Sequence, residues 1–108
     1  MIKDMYKKQT FKILKEFRGL CKELEVLTES NHEIKLKVLL KDTVLTGFSL
    51  LPSIERDFAT LRFTNGCRMF EICMLMNISK RTCYNIQDNV INNLSVCLYG
   101  YECIDFES

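Results

Sequence analysis

The amino-acid sequence predicts an all-α fold from three observations. First, the 108 residues include only four glycines and one proline, so few positions provide the tight turns of a many-stranded fold. Second, apolar residues in 3–28 recur every three or four positions, as along one helix face. Third, signals that begin or end helices, such as Pro52 and Gly66, separate the later apolar segments. We therefore expect one domain over 1–108, with an N-terminal helical hairpin over 1–46, a second helical segment over 50–98 and an acidic, aromatic tail over 99–108.

The first helix is predicted over residues 3–28. Its apolar stripe alternates spacings of four and three residues and consists of Tyr6, Thr10, Ile13, Phe17, Leu20, Leu24 and Leu27. The spacing matches a short heptad seam, so we expect a homodimer held by Ile13, Phe17, Leu20, Leu24 and Leu27. The alternative is that the same stripe packs on the chain's own remaining helices, because three heptads are few for an isolated coiled coil.

Two further helices are expected before residue 66. Ser30 and Glu33 have the spacing of a capping box, and the helix that follows should run to about Leu45, where Gly47 ends or bends it. Its inward residues are predicted to be Ile34, Val38, Leu39 and Leu45. A third helix is expected to open at Leu51-Pro52-Ser53, to present an apolar face of Ile54, Phe58 and Leu61, and to stop at Asn65-Gly66.

Residues 66–98 are predicted to form a helix–turn–helix. Apolar residues stand where two crossing helices would share a core, namely Ile72, Met76, Ile78, Cys83 and Ile86. Cys73 is small, which suits a close approach of the two helices. Asn77 is expected at the sharp turn, because asparagine accepts a positive φ more readily than most residues. The hydroxyl of Ser79 is expected to cap the helix that follows.

That last helix begins with polar and basic residues. Lysine and arginine in a first turn oppose the helix dipole, so Lys80-Arg81 indicates a negatively charged partner. DNA-binding proteins insert a helix start of this kind into the major groove. We therefore predict that double-stranded DNA is bound by Arg68, Ser79, Lys80, Arg81, Thr82, Tyr84 and Asn85.

Four segments resemble one known module. They are Leu50-Leu51-Pro52-Ser53-Ile54-Glu55-Arg56-Asp57, Leu61-Arg62-Phe63, Phe70-Glu71-Ile72 and Ile78-Ser79-Lys80-Arg81-Thr82-Cys83-Tyr84. Over about residues 50–98 the chain resembles the sigma-region-4-like module of small phage and prophage regulators of the ArpU/RinA type. The resemblance implies activation of late phage genes at promoter DNA, with contact to RNA polymerase as a further option. The chain departs from that pattern at Cys73, where the family favours alanine, and at Asn77, where glycine is common, and it lacks the usual Ser/Thr cap before Glu71.

Composition and motifs argue against a metal protein, an enzyme and a membrane protein. The formal net charge is +1, but residues 1–98 carry 15 Lys/Arg against 11 Asp/Glu, whereas all charged side chains of the last ten residues are acidic. The six cysteines include no C-x-x-C pair, so we expect free thiols, no metal and no cofactor. One histidine and no glycine-rich phosphate loop leave nothing for a catalytic site, so we expect no enzyme. No apolar run reaches the ~18 residues of a membrane span, and the charged N-terminus lacks a signal peptide, so we expect a cytoplasmic protein.

Two other functions stay open at this stage. One is a small terminase-like packaging subunit, in which a similar helix–turn–helix sits in an oligomeric ring and grips viral DNA. The other is a helical protein-interaction module that uses the stripe of residues 6–27. The tail residues Tyr99, Tyr101, Ile104 and Phe106 either pack back on the body or join a dimer, and the sequence does not decide between the two.

Overall fold

A computed structural model describes residues 1–27 and 31–106, and these residues fold into α-helices joined by short connections. The helices are α1 (Asp4–Val26), α2 (His32–Ser49), α3 (Ser53–Ala59), α4 (Met69–Met76) and α5 (Lys80–Tyr99). A π-helical turn, Thr60–Thr64, continues α3, and a 3₁₀ turn, Gly100–Cys103, follows α5. The all-α prediction is confirmed for the described part of the chain. None of the helices in these ranges combines the length and apolar character needed to cross a membrane.

Helix α5 is the central element, because it packs against each of the other four α-helices. The core around it contains four phenylalanines whose rings contact one another. The distances between ring centroids are 5.7 Å for Phe17 and Phe48, 6.5 Å for Phe48 and Phe63, and 6.3 Å for Phe58 and Phe63. A pair of fully buried hydroxyls joins α1 to α5, where Thr10 and Ser95 lie 2.8 Å apart. Ser95 donates to the Ile91 carbonyl, so the hydrogen bond between the two hydroxyls runs from Thr10 to Ser95. The helix that carries the predicted site is therefore held from several sides.

Helix α1 buries part of the predicted stripe and one neighbouring residue. Leu14, which the stripe omitted, is fully buried together with Thr10 and Phe17. Phe17, predicted to lie in a dimer seam, contributes no surface to a second copy because it is completely enclosed within its own chain. Ile13, Leu20 and Leu24 are half-buried, and Leu27 is exposed. The alternative that the stripe packs on the chain's own helices therefore holds for Phe17.

Helix α2 begins and ends elsewhere than predicted. Ser30 lies outside the described residues, and the cap that the structure describes is Asn31, whose Oδ1 accepts from the Ile34 amide at 3.0 Å. The helix does not end near Leu45 but continues through Gly47 to Ser49. Gly47 is enclosed at a close approach to α5: a Cβ placed there would lie 2.6 Å from Leu94 Cδ1. The glycine therefore serves helix packing rather than helix termination.

The inward face of α2 was also predicted wrongly. Val38, Leu39 and Leu45 are exposed, whereas Val44 and Phe48 are buried. Apolar residues occur on several sides of this helix, so its sequence defines no single inward face. The contact with α5 selects the face that is buried.

Helix α3 begins at Ser53, within the predicted opening, and buries Phe58; Pro52 is the N-cap residue and not part of the first turn. Ile54, predicted to lie on the same face, is exposed. The π-helical turn adds one residue per turn after Ala59 and brings Phe63 into the core while Leu61 stays half-buried. The predicted stop is confirmed at Gly66, whose φ is 74°, whereas Asn65 keeps a right-handed conformation with φ of −91°.

The two ends of the described chain are joined. Ile2 and Ile104 form an antiparallel bridge, the Lys3 amide donates to the Cys103 carbonyl at 2.8 Å, and the Asp105 amide donates to the Met1 carbonyl at 2.7 Å. The Tyr99 ring packs on Tyr6 with centroids 4.9 Å apart. The tail therefore packs back on its own chain, although its Tyr101 and Phe106 side chains are exposed.

Candidate nucleic-acid interface

The turn between α4 and α5 is built on Asn77. Its φ of 55° and ψ of 51° are left-handed, and no other non-glycine residue in the described ranges has a positive φ. The Ile78 amide donates to the Cys73 carbonyl at 3.0 Å, which satisfies a carbonyl at the end of α4. The prediction that Asn77 occupies the sharp turn is confirmed. The backbone of this residue fixes the direction in which α5 leaves α4.

The start of α5 is capped by Ser79, as predicted. Ser79 Oγ accepts from the Thr82 amide at 3.1 Å and lies 2.9 Å from Thr82 Oγ1. The serine hydroxyl donates to the threonine hydroxyl in that second contact, so both side chains are engaged with each other at the helix start. The first turn of α5 is thereby held in place before any ligand arrives.

The start of α4 has a cap that the sequence analysis missed. Glu71 Oε1 accepts from the Arg68 amide at 3.1 Å, which is the carboxylate half of a capping box. The usual Ser/Thr signal is absent because Arg68 occupies the N-cap position and its side chain cannot accept a hydrogen bond. A glutamate three residues after a potential N-cap was the available signal.

The contact between α4 and α5 is an apolar joint. Ile72 and Cys83 are fully buried, and Ile86 is nearly so. Cys73, whose small size suits the close approach of the two helices, is half-buried, and its thiol interacts with the Cys83 thiol. Burial raises the pKa of the Cys83 thiol to about 11, the contact with Cys73 adds to the rise, and the Arg62 charge opposes it. Cys83 is therefore a neutral, packed thiol at physiological pH.

The predicted contact residues at the start of α5 share one property, which is exposure. Those exposed on α5 and its cap are Ser79, Lys80, Arg81, Thr82, Tyr84 and Asn85. The first turn of α5 contains no acidic residue. The positive end of the helix dipole and two cationic side chains therefore coincide at one place on the surface.

Arg68 lies apart from this group. It is exposed at the beginning of α4, whereas the turn lies at the end of that helix. A helix of eight residues is about 12 Å long. The structure thus brings Ser79 to Asn85 together, and Arg68 flanks them from the other end of α4.

The acidic tail is remote from the start of α5. The tail follows the opposite end of a helix of 20 residues, which is about 30 Å long. The Debye length at physiological ionic strength is about 8 Å. Glu102 and Asp105, the described acids of the tail, therefore reduce the positive potential at Lys80 and Arg81 very little.

Comparisons of the chain with protein-family models, curated proteins and solved structures found no match.

The other residue types that could carry chemistry are dispersed. In the described ranges, His, Cys, Asp and Glu side chains form no group of three that could hold a metal ion. At the start of α5, by contrast, two exposed cations lie together on a capped helix end.

Proposed function

We propose that α4, the turn at Asn77 and α5 act as a helix–turn–helix that binds double-stranded DNA, and that the protein regulates transcription in a sequence-specific manner. One observation carries this proposal: Lys80 and Arg81 are exposed in the first turn of α5, which holds no acid. Two cations at the positive end of a helix repel the dipole and each other. A phosphate backbone removes that unfavourable interaction and gains charge-assisted hydrogen bonds.

The side chains after these two cations suit contact with base edges. Tyr84 and Asn85 are exposed about one turn further along α5. An asparagine amide can form two hydrogen bonds with the N6 and N7 atoms of adenine in the major groove. We assign phosphate contacts to Lys80 and Arg81 and base contacts to Tyr84 and Asn85.

Preorganisation of the helix start also supports this proposal. The left-handed Asn77 and the Ser79 cap hold the first turn, while Cys83 and Ile86 anchor the opposite side of α5 in the core. Little conformational entropy is then lost when DNA binds, and this favours affinity. Regulation of transcription, a phage origin and contact with RNA polymerase extend the proposal through the sigma-region-4-like resemblance.

Assembly follows from the size of the motif. A single helix–turn–helix contacts few base pairs, and such proteins usually bind two related half-sites as dimers. We propose a homodimer on DNA. Of the predicted seam, Ile13, Leu20, Leu24 and Leu27 retain accessible surface for that contact.

The test is a DNA titration at several salt concentrations, followed by fluorescence anisotropy of a labelled duplex. Lys80→Gln with Arg81→Gln should weaken binding by about 1–3 kcal/mol and reduce the slope of log K against log salt by about two. The matched control is Lys22→Gln with Lys35→Gln, which removes two exposed cations from α1 and α2. Equal losses in both double variants would mean that DNA senses only net charge, and the assignment to α5 would fail.

A second candidate, a protein-interaction module, is favoured by one observation. Phe70, Met74 and Leu75 are 60%, 77% and 66% exposed on the eight residues of α4. Three large apolar side chains on so short a helix are typical of a protein contact. If the wild-type protein binds no duplex even at low salt, this candidate replaces the DNA proposal.

A further inference from the structure

A second cationic site lies away from the start of α5. A pocket of about 370 Å³ opens between α1 and the π-helical turn, next to Gly66 in the link to α4. Its lining consists of Leu14, Lys15, Arg18, Arg62, Phe63 and Gly66. Three of these six residues are cationic and none is acidic. Leu14 and Phe63 belong to the core, so part of the pocket lining is apolar.

Each cation is positioned by a contact that leaves its charge available. Arg62 Nη1 donates to the Cys67 carbonyl at 3.1 Å. Lys15 Nζ lies 4.6 Å from the centroid of the Phe11 ring. Arg18 lies against the backbone of Gly66, because a Cβ added to this glycine would be 2.5 Å from Arg18 Nη1. The positive φ of Gly66 favours glycine at this position, and the absence of a Cβ leaves room for the Arg18 guanidinium.

Among the described residues, no ion pair joins these three side chains to a carboxylate. In the part of the chain that the structure describes, the ion pairs join Lys37 to Glu23 and to Glu33 only. Three like charges around one pocket repel each other, and water screens part of this repulsion because Lys15 and Arg18 are exposed. A multiply charged anion with several acceptor oxygens reverses the sign of this interaction, and arginine is the residue best suited to bind it.

We propose that this pocket binds a phosphate group, held by Lys15, Arg18 and Arg62. The phosphate has two possible sources, a DNA backbone or a free phosphate ion. The first source rests on the proposed function, whereas the site itself does not. Lys15 and Arg18 lie on α1, outside the predicted DNA-contacting residues, so the site would extend the contact surface to the N-terminal helix.

The test of the site uses inorganic phosphate. Phosphate is titrated into the full chain at constant ionic strength, with sodium chloride making up the balance, and the amide resonance of Gly66 is followed by NMR. We expect a saturable shift in the wild type and at least a fivefold weaker affinity in Arg18→Gln. The matched control is Arg56→Gln, because Arg56 is exposed on α3 and does not line the pocket. It should keep the affinity of the wild type.

Two results would overturn the proposal: no saturation in the wild type, or the same affinity in Arg18→Gln as in the wild type. If Arg18→Gln fails to fold, Lys15→Gln takes its place with Lys22→Gln as its control, since both lysines are exposed on α1.

A DNA titration then identifies the source. If the phosphate belongs to a DNA backbone, Arg18→Gln should lower the salt slope of duplex binding by about one, in addition to the effect of changes at Lys80 and Arg81. An unchanged slope beside a saturable phosphate titration assigns the site to free phosphate. If the protein binds phosphate in this pocket but binds no duplex, the proposed DNA-binding function is wrong and the phosphate site is supported.

Discussion

Replacing Gly47 with alanine would test the contact by which α2 supports α5. In an unconstrained helix this change stabilises the folded state by about 1 kcal/mol, because alanine has the higher helix propensity. At Gly47 the new methyl group would lie 2.6 Å from Leu94 Cδ1 and 3.5 Å from Cys97 Sγ. Leu94 is fully buried and cannot move without disturbing the core. Overpacking of this kind costs about 1–3 kcal/mol.

The chain offers a matched control in Gly19, which also lies inside a helix but has nothing within 4 Å of an added Cβ. Gly19→Ala should stabilise the protein by about 1 kcal/mol. The gain in propensity is common to both variants, so the difference between them, about 1–3 kcal/mol, measures the clash alone. Urea unfolding followed by circular dichroism gives both free energies. If Gly47→Ala stabilises as much as Gly19→Ala, α2 does not approach α5 as closely as described.

Three further predictions concern buried or strained positions. Phe17→Glu would place an unpaired charge in the core at a cost of about 3–5 kcal/mol, so circular dichroism should show unfolding. A variant that stays folded but is monomeric would mean that Phe17 lies in a dimer contact and not in the core. Asn77→Ala should cost about 1–2 kcal/mol and Asn77→Gly almost nothing in urea unfolding, because only the left-handed backbone distinguishes them; equal stabilities would contradict that reasoning. Since the pKa of Cys83 rises from its ordinary 9.0 to about 11 in the folded protein, the free energy of unfolding should fall as pH increases through that interval. Cys83→Ala should remove this part of the decline, and an identical decline in the variant would exclude Cys83 as its cause.

The polypeptide's local signals predicted most of the helix starts and the central turn. Asn77 and Ser79 occupy the roles expected of them, because each role depends on the residue's own backbone preference or on a hydrogen bond within three residues. The exposed start of α5 was predictable for the same reason: Lys80 and Arg81 adjoin a cap whose position is set locally. The DNA-binding hypothesis rests on these locally determined features.

The buried faces of α1 and α2 depended on the tertiary structure. Thr10 and Phe17 of the predicted α1 stripe are buried, but the core also encloses Leu14, which the stripe omits, and leaves Ile13 half-buried. In α2 apolar residues surround the helix, and only the close approach of Leu94 to Gly47 determines which of them are buried. The free energy gained by burying a side chain depends on which other helices pack against it, and local helix propensity does not determine that packing.

The phosphate pocket is the clearest case of a feature that the sequence could not reveal. Lys15 and Arg18 lie on α1, and Arg62 lies more than forty residues later in the π-helical turn. In the sequence each is an ordinary polar residue of a helix. The sequence by itself therefore determined the helix content, the cap of α5 and its cationic start, because these depend on neighbours within one turn. Only the tertiary structure decided which faces are buried and which distant charges converge, because both depend on how the helices pack around α5.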